Sequence, residues 1–224
     1  MLELEHGFTM EDDPFFPLGA DAVALAHSAA DSVPRGAAVC DLGCGAGGVT
    51  LLLAAARPDL HITGVELRPA AAALFRDNIR RNGAASRITA VEGDLRAIRS
   101  LLAPASVAEV TANPPYRTVP EGRLPAHPDA AAARTELCGT LADFCAAAAY
   151  LLPKGGSFRL VYPPEKLPRL FAALEADGFA PKELTLLYPD AGHGPSIAVC
   201  RAIRGAGPGL TVAPPVFLDT GGVP

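Results

Sequence analysis

The 224-residue chain lacks the features that mark several classes of protein. Its five cysteines form neither a C-x-x-C pair nor any other metal-binding spacing. No apolar run approaches the roughly 20 residues of a membrane helix, and the first residues do not show the charged-then-apolar pattern of a secretion signal. These absences argue against a zinc or disulfide scaffold, a membrane protein and a secreted protein. We therefore expect a cytoplasmic protein with buried free thiols, no metal and no membrane partner.

Positive charge is also scarce, and the net charge is −5. The chain as a whole therefore exerts no general attraction on nucleic acid. The charge is uneven, because residues 1–34 carry seven acids and no Lys or Arg, which leaves 19 basic and 17 acidic residues in the remainder. A mildly basic body beneath an acidic leader still allows a local phosphate-binding patch. Half of the residues are hydrophobic, which is enough for one sizeable domain.

The strongest signal that is present lies in residues 39–48, with the sequence VCDLGCGAGG. A short apolar run ends in Asp41, alternating glycines follow, and helix-forming residues begin at Val49. This order predicts a strand, a tight turn and a helix. Glycines let the backbone approach a ligand closely, and the first N–H groups of a helix favour negative charge. We therefore expect a ligand with a nucleoside and a charged group at this turn.

Two classes of ligand use such a turn. Gly43, Gly45 and Gly48 satisfy the dinucleotide pattern G-x-G-x-x-G, and Glu66 follows about 20 residues later, as that pattern requires. Asp41, however, stands at the carboxyl end of the predicted strand, where a carboxylate would repel a pyrophosphate and would suit an ammonium group. A plain turn without a ligand is the third interpretation.

The hydrophobic patterns along the chain predict alternating strands and helices. Predicted strands cover residues 38–42, 61–66, 88–92, 108–112, 157–162, 183–188 and 196–203. Predicted helices cover residues 18–30, 49–56, 69–82, 137–152 and 165–177. Alternation of this kind is typical of a mostly parallel sheet with helices on both faces. The last two strands follow one another directly and predict an antiparallel hairpin, an ending that a dinucleotide-binding fold would not have.

The fourth predicted strand leads into Asn113, Pro114, Pro115 and Tyr116. Two prolines in series fix φ and remove two hydrogen-bond donors, so the backbone is rigid and extended. The side-chain oxygen of Asn113 and the carbonyl of Pro114 can then accept both hydrogens of one planar amine. Tyr116 offers a face on which a flat group can stack. The alternative is a rigid turn that carries no chemistry.

These motifs resemble those of known enzymes. D-L-G-C-G-x-G resembles the first motif of the S-adenosylmethionine (SAM)-dependent methyltransferases, and N-P-P-Y is the signature of those that methylate exocyclic or side-chain amines and amides. With L-G-A-D at residues 18–21, A-R-x-E at 133–136, L-L-P-K-G-G at 151–156 and G-x-x-P-G-L at 205–210, the motif order resembles the tRNA(Val) adenine methyltransferase-like group. The resemblance implies a Rossmann-like class I methyltransferase with a seven-stranded, mostly parallel sheet that ends in an antiparallel hairpin.

The resemblance also implies SAM as the cofactor, a nucleic-acid substrate such as tRNA, and a role for individual residues. The expected cofactor-binding residues are Asp41, Gly43, Cys44, Gly45, Gly47, Glu66, Leu67, Asp94, Leu95 and Asn113. The expected catalytic residues are Asn113, Pro114, Pro115 and Tyr116. Among the cofactor-binding residues, Asp41 would meet the ammonium, Glu66 the ribose and Asp94 the adenine, although Asp94 is equally well placed to cap a helix.

Three segments complete the predicted organisation: an acidic leader (1–17), a SAM-dependent methyltransferase domain (18–204) and a Gly/Pro-rich tail (205–224), with a substrate-facing flap at 117–136. Gly19 and Asp21 resemble a segment that closes over the methionine end of SAM, and the alternative is a plain packing helix. The same motifs leave a protein-glutamine or rRNA guanine amino methyltransferase open as alternatives. An NAD-dependent oxidoreductase and a non-catalytic SAM-binding module are less favoured.

Overall fold

The computed structural model describes residues 1–115 and 139–218, which form eleven strands and six α-helices. The strands are β1 Leu2–Glu3, β2 Thr9–Met10, β3 Ala38–Leu42, β4 His61–Glu66, β5 Ile88–Glu92, β6 Glu109–Ala112, β7 Ser157–Tyr162, β8 Phe179–Tyr188, β9 Ile197–Arg204, β10 Thr211–Val212 and β11 Val216–Phe217. The helices are α1 Ala20–Ala30, α2 Gly48–Ala56, α3 Pro69–Arg81, α4 Ile98–Leu101, α5 Leu141–Leu151 and α6 Leu167–Ala176. None of these helices has the length and hydropathy that a bilayer crossing requires.

The main sheet has the order β10-β8-β9-β7-β6-β3-β4-β5, and β11 also pairs with β8. Strands β3 to β7 pair in parallel, whereas β9 lies antiparallel between β7 and β8. The predicted parallel sheet and its antiparallel C-terminal hairpin are therefore confirmed. From β3 the chain proceeds outward to β5 and then returns to β6 on the other side of β3. The carboxyl ends of β3 and β6 thus form a switch point, where open α/β sheets bind ligands.

The C-terminal part of the sheet differs from the sequence prediction. The sequence predicts no strand in the Gly/Pro-rich tail, but β10 and β11 of this segment pair in parallel with β8, so the described sheet has nine strands instead of seven. Strand β8 begins at Phe179, four residues before its predicted start, and continues through an irregularity between Pro181 and Glu183. The strand is longer than predicted because it pairs with β9, and the hydrophobic pattern of one segment does not show which strand pairs with it.

Helix boundaries follow local capping. Helix α5 begins after Thr140 because Thr140 and Asp143 form a reciprocal capping box. The predicted helix from residue 165 is divided into a 3₁₀ turn, Pro164–Lys166, and α6.

The hydrophobic core lies on both faces of the sheet, as predicted: α5 and α6 cover one face, and α1, α2 and α3 cover the other.

The acidic leader packs on the body through two asparagines, Asn78 in α3 and Asn82 directly after this helix. Asn82 donates to the carbonyl of Thr9 and accepts from its N–H, at 2.7 and 2.8 Å. Asn78 makes the same pair of bonds with Glu11, at 3.0 and 2.8 Å, and also donates to Ala46 at 3.0 Å. Each amide thus replaces one rung of a β-ladder. These bonds place the residues after Glu11 over the glycine turn.

A buried ion pair connects α1 to the sheet. The Nε of Arg159 on β7 donates to Oε1 of Glu109 on β6 at 3.1 Å, and both side chains are 2% exposed. The other guanidinium nitrogens donate to the hydroxyls of Ser28 on α1 and of Ser32, two residues after this helix ends. A buried charge is tolerated only when such partners surround it. The pair therefore holds α1 against the sheet.

We predict that Glu109→Gln lowers the free energy of unfolding by about 3 kcal/mol, because it leaves the Arg159 charge buried without a counterion. The matched control is Glu183→Gln, whose carboxylate lies 4.0 Å from Arg201 and is 43% exposed. That exposed pair should contribute less than about 1 kcal/mol. Urea unfolding measures both variants. Equal losses in the two would show that the buried pair does not stabilise the fold.

Candidate functional site

The turn after β3 is built from glycines in the left-handed region. Gly43, Gly45 and Gly47 have φ values of 69°, 58° and 94°. A Cβ on Gly47 would lie 2.2 Å from the Phe75 ring, so this glycine lets α2 start close against α3. Gly47 lines neither cavity described below, and its proposed cofactor contact stays a prediction. Gly43 and Gly45 face the ligand region.

Two adjoining cavities open beside this turn. The first holds about 580 Å³ of empty space and the second about 450 Å³, open solvent included, so both are open clefts and not enclosed cavities. The first lobe is lined by Glu66, Leu67, Arg68, Gly93, Leu95, Pro115 and others. The second is lined by Met10, Asp12, Leu18, Asp41, Cys44, Val49 and others. Phe16, Gly43, Gly45 and Asn113 line both lobes and mark their junction.

Asp41 is a buried carboxylate in the second lobe, with 2% exposure. Thr50 Oγ1 donates to its Oδ2 at 2.7 Å, and Thr111 Oγ1 donates to its Oδ1 at 3.0 Å. Burial raises the pKa of Asp41 to about 6, and the two hydroxyl bonds limit that rise. Both of these partners are neutral, so the charge of the ionised carboxylate is not compensated by them. Such a group attracts a cation, as the sequence analysis predicts for the ammonium of the ligand.

Glu66 lines the first lobe and joins the glycine turn to β4. Its Oε2 accepts from Gly45 N at 2.8 Å, and its Oε1 accepts from Arg68 N at 2.8 Å. The Nε of Arg68 lies 3.3 Å from the same oxygen, and the guanidinium donates to Asp13 of the leader at 2.6 Å. A carboxylate has about four lone-pair sites. The ribose role predicted for Glu66 therefore has an acceptor position left for it.

Asp94 lies beside the first lobe but is not among its lining residues, whereas its neighbours Gly93 and Leu95 are. It caps the 3₁₀ turn Leu95–Ala97, accepting from Arg96 N at 2.9 Å. The Arg96 guanidinium bonds the same carboxylate and lowers the pKa of Asp94 below its ordinary value. The capping alternative is thus confirmed, and the adenine contact stays a prediction.

Asn113 lines both lobes and carries a buried hydrogen-bond acceptor. Its Nδ2 donates to Oδ2 of Asp21 at 2.8 Å. Its Oδ1 is buried and has no hydrogen-bond partner within residues 1–115 and 139–218. A carboxylate only accepts, so the amide nitrogen must face Asp21 and the oxygen must face away from it. A buried acceptor without a partner costs about 1–3 kcal/mol and calls for a functional explanation.

Sequence reasoning missed part of the site. The leader supplies Phe16 at the junction, Asp12 and Met10 in the second lobe, and Asp13 as the partner of Arg68. The pairing of Asp13 with Arg68 joins residues 55 positions apart, and no periodic pattern reports it.

Tyr116, the 117–136 flap and the 133–136 motif lie outside the described residues. No group of three or more His, Cys, Asp or Glu side chains in the described ranges could hold a metal ion.

The family follows from a comparison with known proteins. Residues 23–169 match the model of the methyltransferase small domain, which is more than half of the chain. The chain belongs to the methyltransferase small domain family. Its cofactor is SAM, and the cavity fits this assignment because one lobe holds a carboxylate suited to an ammonium, and the other holds one suited to hydroxyl groups.

The proteins to which the chain is similar carry the names of different methyltransferases. The chain is 36% identical over 91 residues to a release factor glutamine methyltransferase of Moorella thermoacetica, a match that spans 40% of this chain and 30% of that relative. A structure of a predicted O-methyltransferase from Agrobacterium tumefaciens shares the fold with a TM-score of 0.72 and 24% identity, covering 91% of this chain and 90% of the other. The 16S rRNA N2 G1207 methyltransferase of Thermus thermophilus, solved with AdoMet and guanosine, has a TM-score of 0.57 and 23% identity, with coverages of 84% and 43%.

We predict that SAM binding weakens as the pH falls below 6. We expect the ionised form of Asp41 to hold the ammonium, and with a pKa of about 6 its ionised fraction falls about tenfold for each pH unit below that value. The α-amino group of SAM, with a pKa of about 8, stays protonated below pH 6. Calorimetry from pH 7.5 to 5 measures the dissociation constant. Asp41→Asn should bind SAM weakly with no such dependence, and a flat profile in the unmodified protein would contradict the assignment.

Proposed function

We propose that this methyltransferase transfers a methyl group from SAM to a planar amino group, the exocyclic amine of a nucleobase, with adenine in cytoplasmic tRNA as the substrate. The observation that carries the proposal is the buried Oδ1 of Asn113, an acceptor without a described partner on a residue that lines both lobes. An amine donor on the acceptor would satisfy this atom. Pro115 lines the first lobe beside it, which is consistent with a rigid acceptor-binding turn.

The protein's part in the reaction is positioning. When bound, SAM supplies a methyl group on a sulfonium, an electrophile that needs no further activation. Asp41 would hold its ammonium in the second lobe, and Glu66 would hold its ribose in the first. Asn113 orients the acceptor amine at the junction between them, and the Pro114 carbonyl accepts its second hydrogen. Positioning of two reactants can supply about 7–11 kcal/mol of a reaction barrier.

The proposed acceptor is inferred from the N-P-P-Y segment and from the planar NH₂ group that nucleobases and amides share. Tyr116 would stack on a flat base, a contact worth about 1–3 kcal/mol. A glutamine side-chain amide is the second candidate, because the Moorella thermoacetica relative is a release factor glutamine methyltransferase. Both acceptors present a planar NH₂ group to Asn113. They differ in the flat ring that only the base offers to Tyr116.

An acceptor survey tests the proposal. The purified protein is incubated with methyl-labelled SAM and, in separate reactions, bulk tRNA, bulk rRNA and purified release factors, followed by mass spectrometry of nucleosides and peptides. We expect the label on the exocyclic amine of adenine in tRNA. Label on a release-factor glutamine would establish the second candidate instead. Label on an oxygen or carbon acceptor would overturn the N-methyltransferase assignment.

Asn113→Ala should separate chemistry from cofactor binding. We predict that turnover falls at least about a hundredfold, because one orienting hydrogen bond in a dry site contributes about 2.7–4 kcal/mol to the barrier. SAM affinity should stay within about threefold, because the lost oxygen serves the acceptor. Ser106→Ala, an exposed change in the loop before β6, is the control and should leave both quantities unchanged. Full turnover in Asn113→Ala would show that N-P-P-Y is only a rigid turn.

A further inference from the structure

We propose that Asp21 is a positioning residue that fixes the amide of Asn113 with its oxygen toward the acceptor. The inference rests on the proposed function, because it explains how the acceptor-binding atom is oriented. It starts from two observations at one side chain: the Nδ2 of Asn113 is held by Asp21 at 2.8 Å, and the Oδ1 has no partner among the described residues. Asp21 belongs to the first turn of α1, 92 positions away in the chain.

The carboxylate of Asp21 is itself held in place. Its Oδ1 accepts from Ala22 N at 2.9 Å, which leaves Oδ2 for Asn113. Gly19 makes room for this arrangement, because a Cβ at that position would lie 2.5 Å from the Oδ1 of Asp21. Ser28 further along α1 and Ser32 just after it accept from the buried Arg159 of β7. The helix that carries Asp21 is thus anchored to the sheet that carries Asn113.

This contact decides which end of the amide meets the acceptor. The oxygen and nitrogen ends of an Asn amide have nearly the same shape but opposite hydrogen-bonding roles. If the amide were reversed, its NH₂ would face the acceptor amine, and two donors would oppose one another. Asp21 cannot donate in its ionised form, so it selects the orientation in which Oδ1 accepts. A charge-assisted bond at Nδ2 also polarises the amide and strengthens its oxygen as an acceptor.

The selected orientation defines the class of acceptor. A single oxygen acceptor at this point binds groups that present a hydrogen, such as the NH₂ of a nucleobase or of a side-chain amide. It disfavours groups that present only a lone pair, such as a ring nitrogen without hydrogen. Asp21 thereby contributes to specificity without touching the acceptor.

The test compares Asp21→Ala, Asp21→Asn, Asn113→Ala and the Asp21→Ala/Asn113→Ala double variant, with Asp31→Ala as a matched control. Asp31 follows the same helix and is exposed, so it controls for removal of one acidic charge from α1. Turnover is measured with labelled SAM on the acceptor found in the survey, and SAM affinity by calorimetry. The side-chain NH₂ resonances of Asn113, assigned from their absence in Asn113→Ala, are followed by ¹H–¹⁵N NMR in all variants that retain the residue.

We expect Asp21→Ala to lower turnover about 10- to 100-fold with SAM affinity within about threefold, since misplacement of an orienting group by 1 Å costs about that much. Asp21→Asn keeps its oxygen for Ala22 N and turns an NH₂ toward Asn113, which favours the reversed amide, so its turnover should stay as low as that of Asp21→Ala. In the Asn113→Ala background, loss of Asp21 should have no further effect, because both changes act through one amide. The NH₂ resonances of Asn113 should shift in Asp21→Ala and stay unchanged in Asp31→Ala.

Several results would overturn the inference. Turnover of Asp21→Ala within twofold of the unmodified protein would do so, as would additive losses in the double variant or unshifted Asn113 resonances. A joint loss of SAM affinity and turnover would make Asp21 a cofactor-binding group. The NMR measurement needs no acceptor, so it separates the two proposals. Shifted Asn113 resonances together with no labelled amine in the survey would leave the contact established and overturn the proposed function alone.

Discussion

The hydrogen bond from the Gly45 N–H to the Glu66 carboxylate joins the parts on which the site depends. It ties the turn after β3 to the end of β4, the neighbouring strand. The same carboxylate holds Arg68, and Arg68 holds Asp13 of the leader. The buried side chain of Glu66 thus connects the glycine turn, the end of β4 and the N-terminal segment. If Glu66 were replaced by an apolar residue, Arg68 would lose one of its two buried counterions and keep only Asp13.

The leader is part of the site instead of an appendage to it. Asn78 in α3 and Asn82 at its C-terminal end bind the leader's backbone as a partner strand would, and the residues that follow line both lobes. The acidic character of this segment has a local explanation at Asp12 and Asp13. Asp12 accepts from the N–H of Leu18 and shapes the turn before α1, while Asp13 neutralises Arg68. Charge in the leader therefore serves packing around the cavity.

The site works by arranging acceptors in a buried space. Asp41 presents a carboxylate whose described partners are neutral hydroxyls, Glu66 presents one that is partly occupied, and Asn113 presents an amide oxygen. Each group lies at the carboxyl end of a different strand of the parallel sheet, β3, β4 and β6, at the same edge. Because parallel strands end together at that edge, side chains far apart in the chain meet around one cavity. The transfer of a methyl group needs such placement more than it needs a strong base.

The amino-acid sequence by itself determined the sheet, its hairpin and most of the polar groups at its edge. The period of the hydrophobic residues reports strands and helices, and Asp41, Glu66 and Asn113 stand directly at predicted strand ends. Only the tertiary structure decided the partners of these groups. Asp13 meets Arg68 across 55 positions and Asp21 meets Asn113 across 92, and the tail adds two strands to β8. Local patterns record the burial of a residue but not the identity of its distant neighbour, because that neighbour is chosen by how whole elements pack.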